Sequence, residues 1–250
     1  MNEPRVTAII QARMQSTRLP GKVLKPLAGK PLIAHVINRS KEITPLHRVV
    51  LAVPDDTENR PLLALADTME IESFAGSNQD VLARFYMAAE KFGGDYIVRI
   101  TGDNPFTDPG YAGNTLRTAI EHKAHRSTLD GLPLGTAVEV ISFDALQQAY
   151  RESSQPYHRE HVTPYIKEHP DKFTIVHAPS GFHSPIPDLR LTVDTPEDFA
   201  LAAVLYENLY DGSIFSLESI IAFLQKNPAY LDINSGIPQR PMTSWEGDDA

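Results

Sequence analysis

Short apolar runs alternate with segments whose apolar residues recur at helical spacing, and this pattern restricts the fold of the chain more than any other feature. Arg5–Ile10, Val49–Val53, Ile71–Phe74 and Tyr96–Ile100 have the length and character of buried strands. Between them lie a helix starting near Pro31, a second over Arg60–Met69 with Pro61 in its first turn, and a third over Asp80–Phe92. Strand, helix, strand, helix is the pattern of right-handed crossovers, and it predicts an α/β fold with a mainly parallel sheet. The second half is less regular. Ala137–Ser142, Phe173–His177 and Arg190–Val193 are expected strands; Asp144–Glu152, Glu160–Glu168 and Pro196–Leu209 are expected helices. No linker interrupts residues 1–226, which are expected to form one domain. Residues 227–250, with Pro228, Pro238 and Pro241 and an acidic end, are expected to be a loosely packed tail.

Charge distribution narrows the function classes. The net charge of −9 argues against a general nucleic-acid binder. Residues 1–48 nevertheless carry nine Lys or Arg against two Asp or Glu, on an otherwise acidic chain. A cationic segment on an anionic body suits a compact polyanion such as a nucleoside triphosphate; a basic surface loop without a ligand has the same composition. There is no cysteine, so disulfides and thiolate metal sites do not arise. Val6–Ile10 is too short for a signal-peptide core and no later stretch is long enough to span a bilayer. The expected setting is therefore cytoplasmic, with no membrane partner.

In open α/β sheets, ligands bind beyond the carboxyl ends of the strands. Three polar segments fall there. Gln11-Ala12-Arg13-Met14-Gln15-Ser16-Thr17-Arg18-Leu19-Pro20-Gly21-Lys22 follows the first strand and supplies three cations, Arg13, Arg18 and Lys22. Arginine forks grip pairs of phosphate oxygens and lysine acts as a point charge, although a solvated loop remains open as a reading. The glycine spacing of a Walker loop is missing. Arg99-Ile100-Thr101-Gly102-Asp103-Asn104-Pro105 places Asp103 just past a strand, beside a glycine that permits close backbone approach. A carboxylate there suits Mg²⁺, which takes one or two protein carboxylates together with phosphate oxygens; an aspartate that merely ends the strand is the alternative. Leu191-Thr192-Val193-Asp194-Thr195-Pro196-Glu197-Asp198 repeats the arrangement, with Thr195 as the expected helix cap and Asp194 free for another role.

These segments resemble a known family. The run from Ile10 through Lys22 is similar to the nucleotide-binding signature of cytidylyltransferases that act on acidic eight- and nine-carbon sugars. More closely, the chain resembles the spore coat polysaccharide biosynthesis protein F family, through Gly76-Ser77-Asn78-Gln79-Asp80-Val81-Leu82-Ala83-Arg84-Phe85, Val98–Phe106 and Leu191–Asp198. The resemblance implies a Rossmann-like nucleotide-diphospho-sugar transferase fold with a small insertion able to pair two subunits as a homodimer. It implies transfer of CMP from CTP to an acidic sugar or sugar phosphate, with pyrophosphate released. Arg13, Arg18 and Lys22 would hold the triphosphate, and Asp103 and Asp194 a Mg²⁺ ion. Gln11, Ala12, Gly76, Ser77, Asp80 and Gly102 would lie about the nucleotide. Acceptor contacts would come from Arg99, Thr136, Glu139, His158 and Glu160. By its residue type alone, Glu139 could equally be the polar face of an edge strand, and His158 part of a helix-start surface or a subunit contact. Relatives acting on octulosonic acids typically carry Gly-Asp-Glu-Pro where this chain has Gly102-Asp103-Asn104-Pro105. Two rival functions keep the same polar residues: a glycosyltransferase using a ready-made nucleotide sugar, and a non-catalytic nucleotide-binding protein. The first usually holds its metal with an Asp-x-Asp pair on one loop, which no strand end here supplies.

Overall fold

The structure is a computed structural model and describes residues 3–239. Its first strand, β1 (Val6–Gln11), leads through a long loop and the two-residue ribbon β2 (Pro26–Leu27) and β3 (Lys30–Pro31) into α1 (Leu32–Lys41). Then come β4 (Arg48–Pro54), α2 (Arg60–Thr68), β5 (Glu72–Gly76), α3 (Val81–Phe92), β6 (Tyr96–Thr101), α4 (Pro109–Glu121), β7 (Arg126–Asp130) and β8 (Glu139–Ser142). The chain continues through α5 (Phe143–Glu152), α6 (Pro156–His161), α7 (Pro164–Glu168), β9 (Ile175–Pro179), α8 (Pro196–Leu209) and α9 (Leu217–Lys226).

The main sheet runs β5-β4-β1-β6-β8-β7-β9, and β8 alone is antiparallel to its neighbours. The expected α/β fold with a mainly parallel sheet is what forms. Val6, Ala8, Ile9 and Ile10 of β1 and Val50–Val53 of β4 are fully buried because helices cover both faces. Each of the valine, leucine and isoleucine side chains among them contributes on the order of 1.5–3 kcal/mol.

Strand order places the site. From β1 the chain steps outward to β4 and β5, then returns to add β6 on the other flank of β1. The crevice of such a sheet opens where the order reverses. Here the loops after Gln11 and Thr101 start side by side, since these residues are register partners and Gly102 N donates to Gln11 O at 2.8 Å. A Cβ at Gly102 would sit 2.9 Å from both Ala12 Cβ and Ile33 Cδ1. We therefore expect Gly102→Ala to destabilise the protein by about 1–3 kcal/mol through overpacking. Urea unfolding checks this, and wild-type stability would show that the two loops can part without loss.

Several elements differ from expectation. The helix α4 and strand β7 did not stand out, because Pro109-Gly110-Tyr111-Ala112-Gly113-Asn114 is poor in helix formers. Their signal was the cap: Asp108 accepts from Gly110 N at 2.9 Å and Tyr111 N at 3.2 Å, with Pro109 in the first turn. The amphipathic helix α9, capped by Ser216, was likewise not foreseen. The helix expected over Glu160–Glu168 is two helices, broken at Val162, whose φ is 71°, and restarted at Pro164. Arg190–Val193 is not a strand of the sheet. It runs between two loops, with Leu191 N donating to Leu134 O at 2.8 Å and Val193 N to Asp103 O at 2.9 Å. Finally, the start of the expected tail is packed. A 3₁₀ segment, Pro228–Ile233, lies against α8 and α9, and the buried Asn234 donates to Arg190 O and Asp198 Oδ1. Residues 240–250 of that expected tail lie outside the described residues.

Candidate active site

The loop after β1 is held by its own backbone. Gly21 adopts φ 65°, its N–H donates to Met14 O at 3.1 Å, and Met14 N donates to Asn59 Oδ1 at 2.8 Å. Leu19 and Val23 are buried on either side, so Lys22 is directed into the molecule and is itself buried. Its ammonium meets three oxygens: Asp103 Oδ2 at 3.0 Å, Asp194 Oδ1 at 2.9 Å and the Val193 carbonyl at 2.9 Å. Asp103, just past β6, and Asp194, just before α8, thus converge on one point. Burial alone would lower the Lys22 pKa, but the two carboxylates outweigh it and hold the amine above its ordinary value. At Asp103, burial pushes the carboxyl upward, and the Lys22 charge with hydrogen bonds from Thr101 and Lys22 brings it below the usual range. Arg18 Nη2 lies 3.2 Å from Asp194 Oδ1, completing a cationic wall beside the pair.

Behind Asp194 stands a layer that fixes its direction. Arg190 Nη2 donates to Asp194 Oδ2 at 2.8 Å, while its Nε donates to Asp198 Oδ1 at 2.9 Å. Asp198 Oδ2 in turn accepts from the backbone N–H of Asp194 at 3.0 Å and of Thr195 at 3.1 Å. Thr195 and Asp198 form a reciprocal cap at the start of α8, so one carboxylate both opens a helix and braces the site.

A second charged group lies further across the sheet. Glu139 on β8 is opposite Arg99 on β6. Its carboxylate accepts from Arg99 Nη1 at 2.9 Å and Arg126 Nε at 2.9 Å, with Lys167 Nζ at 3.2 Å and Thr163 Oγ1 at 3.1 Å. Arg99 also reaches Gln11 Oε1 at 3.2 Å, tying this cluster to the first loop. Burial would raise the Glu139 pKa, but Arg99, Arg126 and Lys167 bring it down to about 2. One acid faces three bases, leaving an excess of positive charge.

A cytidylyltransferase family model matches residues 7–235, nearly the whole described chain. The chain belongs to the cytidylyltransferase family. Among relatives of this cytidylyltransferase, the spore coat polysaccharide biosynthesis protein SpsF of Bacillus subtilis is 33% identical over 233 residues, covering 88% of this chain and 94% of the relative. A 3-deoxy-manno-octulosonate cytidylyltransferase of Geobacter sulfurreducens is 32% identical over 121 residues, covering 48% of each chain. A solved cytidylyltransferase structure from Leptospira borgpetersenii superposes with a TM-score of 0.85 at 26% identity, covering 95% of this chain and all of the other.

The cytidylyltransferase fold brings Lys22, Arg18, Asp103 and Asp194 together, as the motifs suggested. Arg13 lies on the other side of the first loop, 4.0 Å from Glu160. Arg159 on α6 pairs with Asp80 Oδ2 at 3.2 Å, and Asp80 also caps α3 through Ala83 N at 2.8 Å. The short helix α6 therefore spans from the first loop to the Gly76–Asp80 segment. Ser77 Oγ accepts from Asp80 N at 3.0 Å and shapes that turn. Gln11 faces Arg99, Ala12 is buried beneath the crevice and Gly102 lines the approach of the two loops.

Three acceptor residues need correction. Thr136 is wholly buried, and its hydroxyl closes a turn by donating to Pro133 O at 2.8 Å; no surface remains for a sugar. His158 is committed to the contact between α6 and α7: Nε2 lies 2.9 Å from Glu168 Oε2, and the ring packs on Tyr157 and Tyr165. Glu139 sits on an interior strand, so the edge-strand alternative does not hold, and its carboxylate is already occupied by cations. Arg126, Lys167, Arg190 and Asn59 were not foreseen. Arg126, Lys167 and Asn59 act on partners more than ten residues away and carry no local signature, whereas Arg190 lies four residues before Asp194.

Proposed function

We propose that this cytidylyltransferase moves CMP from CTP onto an acidic sugar, or a sugar phosphate, with release of pyrophosphate in a Mg²⁺-dependent reaction that feeds surface glycan synthesis. The observation that carries this reading is the convergence of Asp103 and Asp194 beside Arg18 on the loop after β1. The donor set fits a hard divalent ion: two carboxylate oxygens meet at one point, and Asn104 Oδ1, next in sequence to Asp103, is buried without a hydrogen-bond partner. Two carboxylates leave coordination positions for phosphate oxygens, as Mg²⁺ at a triphosphate requires. Asp103 and Asp194 would hold the ion, which when bound supplies Lewis acidity at the α-phosphate and the acceptor oxygen.

The reaction is in-line displacement: the acceptor oxygen forms a bond to the α-phosphorus as the bond to the pyrophosphate oxygen breaks. Arg18 and Lys22, with Arg13 across the loop, neutralise the charge that accumulates on the leaving pyrophosphate. Gln11, Ala12, Gly76, Ser77 and Asp80 bound the space for the nucleoside. The acid Glu139, ionised and gripped by three cations, is a poor proton acceptor; it serves to hold Arg99, Arg126 and Lys167 in place. Their surplus charge favours an acceptor bearing a carboxylate or phosphate, in keeping with the acidic eight-carbon sugar named for the Geobacter relative. Separate loops supply the two carboxylates, unlike the single-loop Asp-x-Asp pair of many glycosyltransferases. The protein is further proposed to act as a cytoplasmic homodimer, which light scattering on the purified chain tests; among the described residues no helix is long and apolar enough to cross a membrane.

Pyrophosphate release decides the proposal. With Mg²⁺ present, CTP and an acidic sugar or sugar phosphate should yield pyrophosphate and a CMP-bearing product. Neutral sugars, and other nucleoside triphosphates with the same acceptors, should yield much less. Turnover of a neutral sugar at the same rate would sink the acidic-acceptor assignment, and transfer of sugar from CMP-sugar without pyrophosphate would sink nucleotidyl transfer.

A further inference from the structure

Lys22 makes contacts that a triphosphate ligand alone does not explain. An ammonium has three N–H donors, and those of Lys22 have three oxygens within 3.0 Å: Asp103 Oδ2, Asp194 Oδ1 and the Val193 carbonyl. The carboxylates lie 81 and 172 residues away in sequence. Two half-buried carboxylates brought this close repel one another unless a cation lies between them. A divalent ion between the same oxygens would lie within a few ångströms of the ammonium, where two positive charges repel strongly in a partly buried site. The ammonium and the metal therefore exclude one another.

Backbone geometry fixes which part of Lys22 can yield. Its N–H donates to Leu19 O at 3.2 Å and its carbonyl accepts from Lys25 N at 3.1 Å, anchoring the main chain. What can move is the four-carbon side chain, whose several torsions let a lysine redirect its compact charge without shifting the backbone. The three phosphates of a nucleotide bound along the same loop offer the ammonium a new set of oxygens.

We propose that Lys22 is a positioning residue for the metal carboxylates. In the substrate-free protein its ammonium stands in for the divalent ion and keeps Asp103 and Asp194 converged. Bound nucleotide draws it onto the triphosphate, so the metal enters with the nucleotide and not before it. This inference rests on the nucleotidyl-transfer reading above.

The test measures Mn²⁺ binding by electron paramagnetic resonance, with and without CTP and with no acceptor present. Wild-type protein should bind Mn²⁺ weakly alone and at least tenfold more tightly with CTP. Lys22→Met, which keeps the length and removes the charge, should bind Mn²⁺ without nucleotide at least tenfold more tightly than wild type. Lys22→Arg should stay weak. Circular dichroism checks folding, and Lys22→Gln replaces the methionine variant if that one fails to fold. If the neutral variants bind Mn²⁺ no better than wild type while wild type still gains affinity with CTP, the role given to Lys22 is wrong and nucleotidyl transfer survives. If wild type binds Mn²⁺ equally well with and without CTP, the coupling is absent and the inference falls. If CTP itself does not bind, both fall together.

Discussion

Asp103→Asn is expected to lower kcat/KM for CTP by about a thousandfold or more, the loss anticipated when a transition-state charge contact worth several kcal/mol is removed. The substitution is nearly isosteric, but it removes one of two negative charges from the point where Lys22 now sits. Lys22 keeps Asp194 Oδ1 and the Val193 carbonyl as partners, so the fold should lose only about 1–3 kcal/mol. The KM for CTP should move far less than kcat, because the triphosphate still meets Arg18 and Lys22. A coupled pyrophosphate assay and a thermal melt together read this. Wild-type turnover in a folded Asp103→Asn protein would remove Asp103 from the reaction.

Glu139→Gln should produce the largest loss of stability of any single substitution considered. The carboxylate is the shared counter-charge of Arg99, Arg126 and Lys167, and removing it leaves three cations packed together. Breaking a buried ion pair from one side costs about 3–5 kcal/mol. The pH dependence gives a consistent figure. Glu139 has a folded pKa of about 2 against an ordinary 4.5, a difference equivalent to about 3 kcal/mol. Because the folded value is the lower one, ionised Glu139 stabilises the native state fully above pH 4.5. That contribution shrinks as pH falls through this value and is lost near pH 2. Urea unfolding at several pH values should show wild type well above the glutamine variant at neutral pH, with the gap closing in acid. Equal stability at pH 7 would mean that the three cations have another counter-charge. The variant should also lose acceptor discrimination, since Arg99 would no longer be held in register with Gln11.

Much of the first half of the fold was legible because strand and helix there obey separate periods. β1, β4 and β6 are mostly apolar along their length, and α3 buries Val81, Leu82, Phe85, Ala88 and Ala89 along one face. The second half was harder for identifiable reasons. The α4 segment has two glycines and few helix formers, and it is helical because burial of Ala112, Leu116 and Ala119 and the Asp108 cap outweigh weak propensity. Arg190–Val193 has strand-like composition, yet Gly135, at φ 94°, brings the 133–136 turn against Thr192, with a hypothetical Cβ only 2.4 Å from Thr192 N. That close approach routes the segment between loops instead of into the sheet.

The site divides along the same line. Arg18, Lys22, Asp103 and Asp194 could be chosen from sequence because each follows a short apolar run or lies in the loop after one, where an α/β sheet is expected to expose ligand groups. Thr136 and His158 could not be judged that way. Their polarity is spent on a turn and on a helix contact, and both uses depend on neighbours distant in the chain or on burial. The amino-acid sequence by itself determined most strands and helices of the first half, which loop carries the cations and which carboxylates follow apolar runs, because those properties arise within a few residues. Only the tertiary structure decided that β1 lies between β4 and β6, that one lysine bridges two remote aspartates, and that Glu139 is enclosed by three bases. Those facts depend on strand order and on charge pairing across it, and no local window of residues contains either.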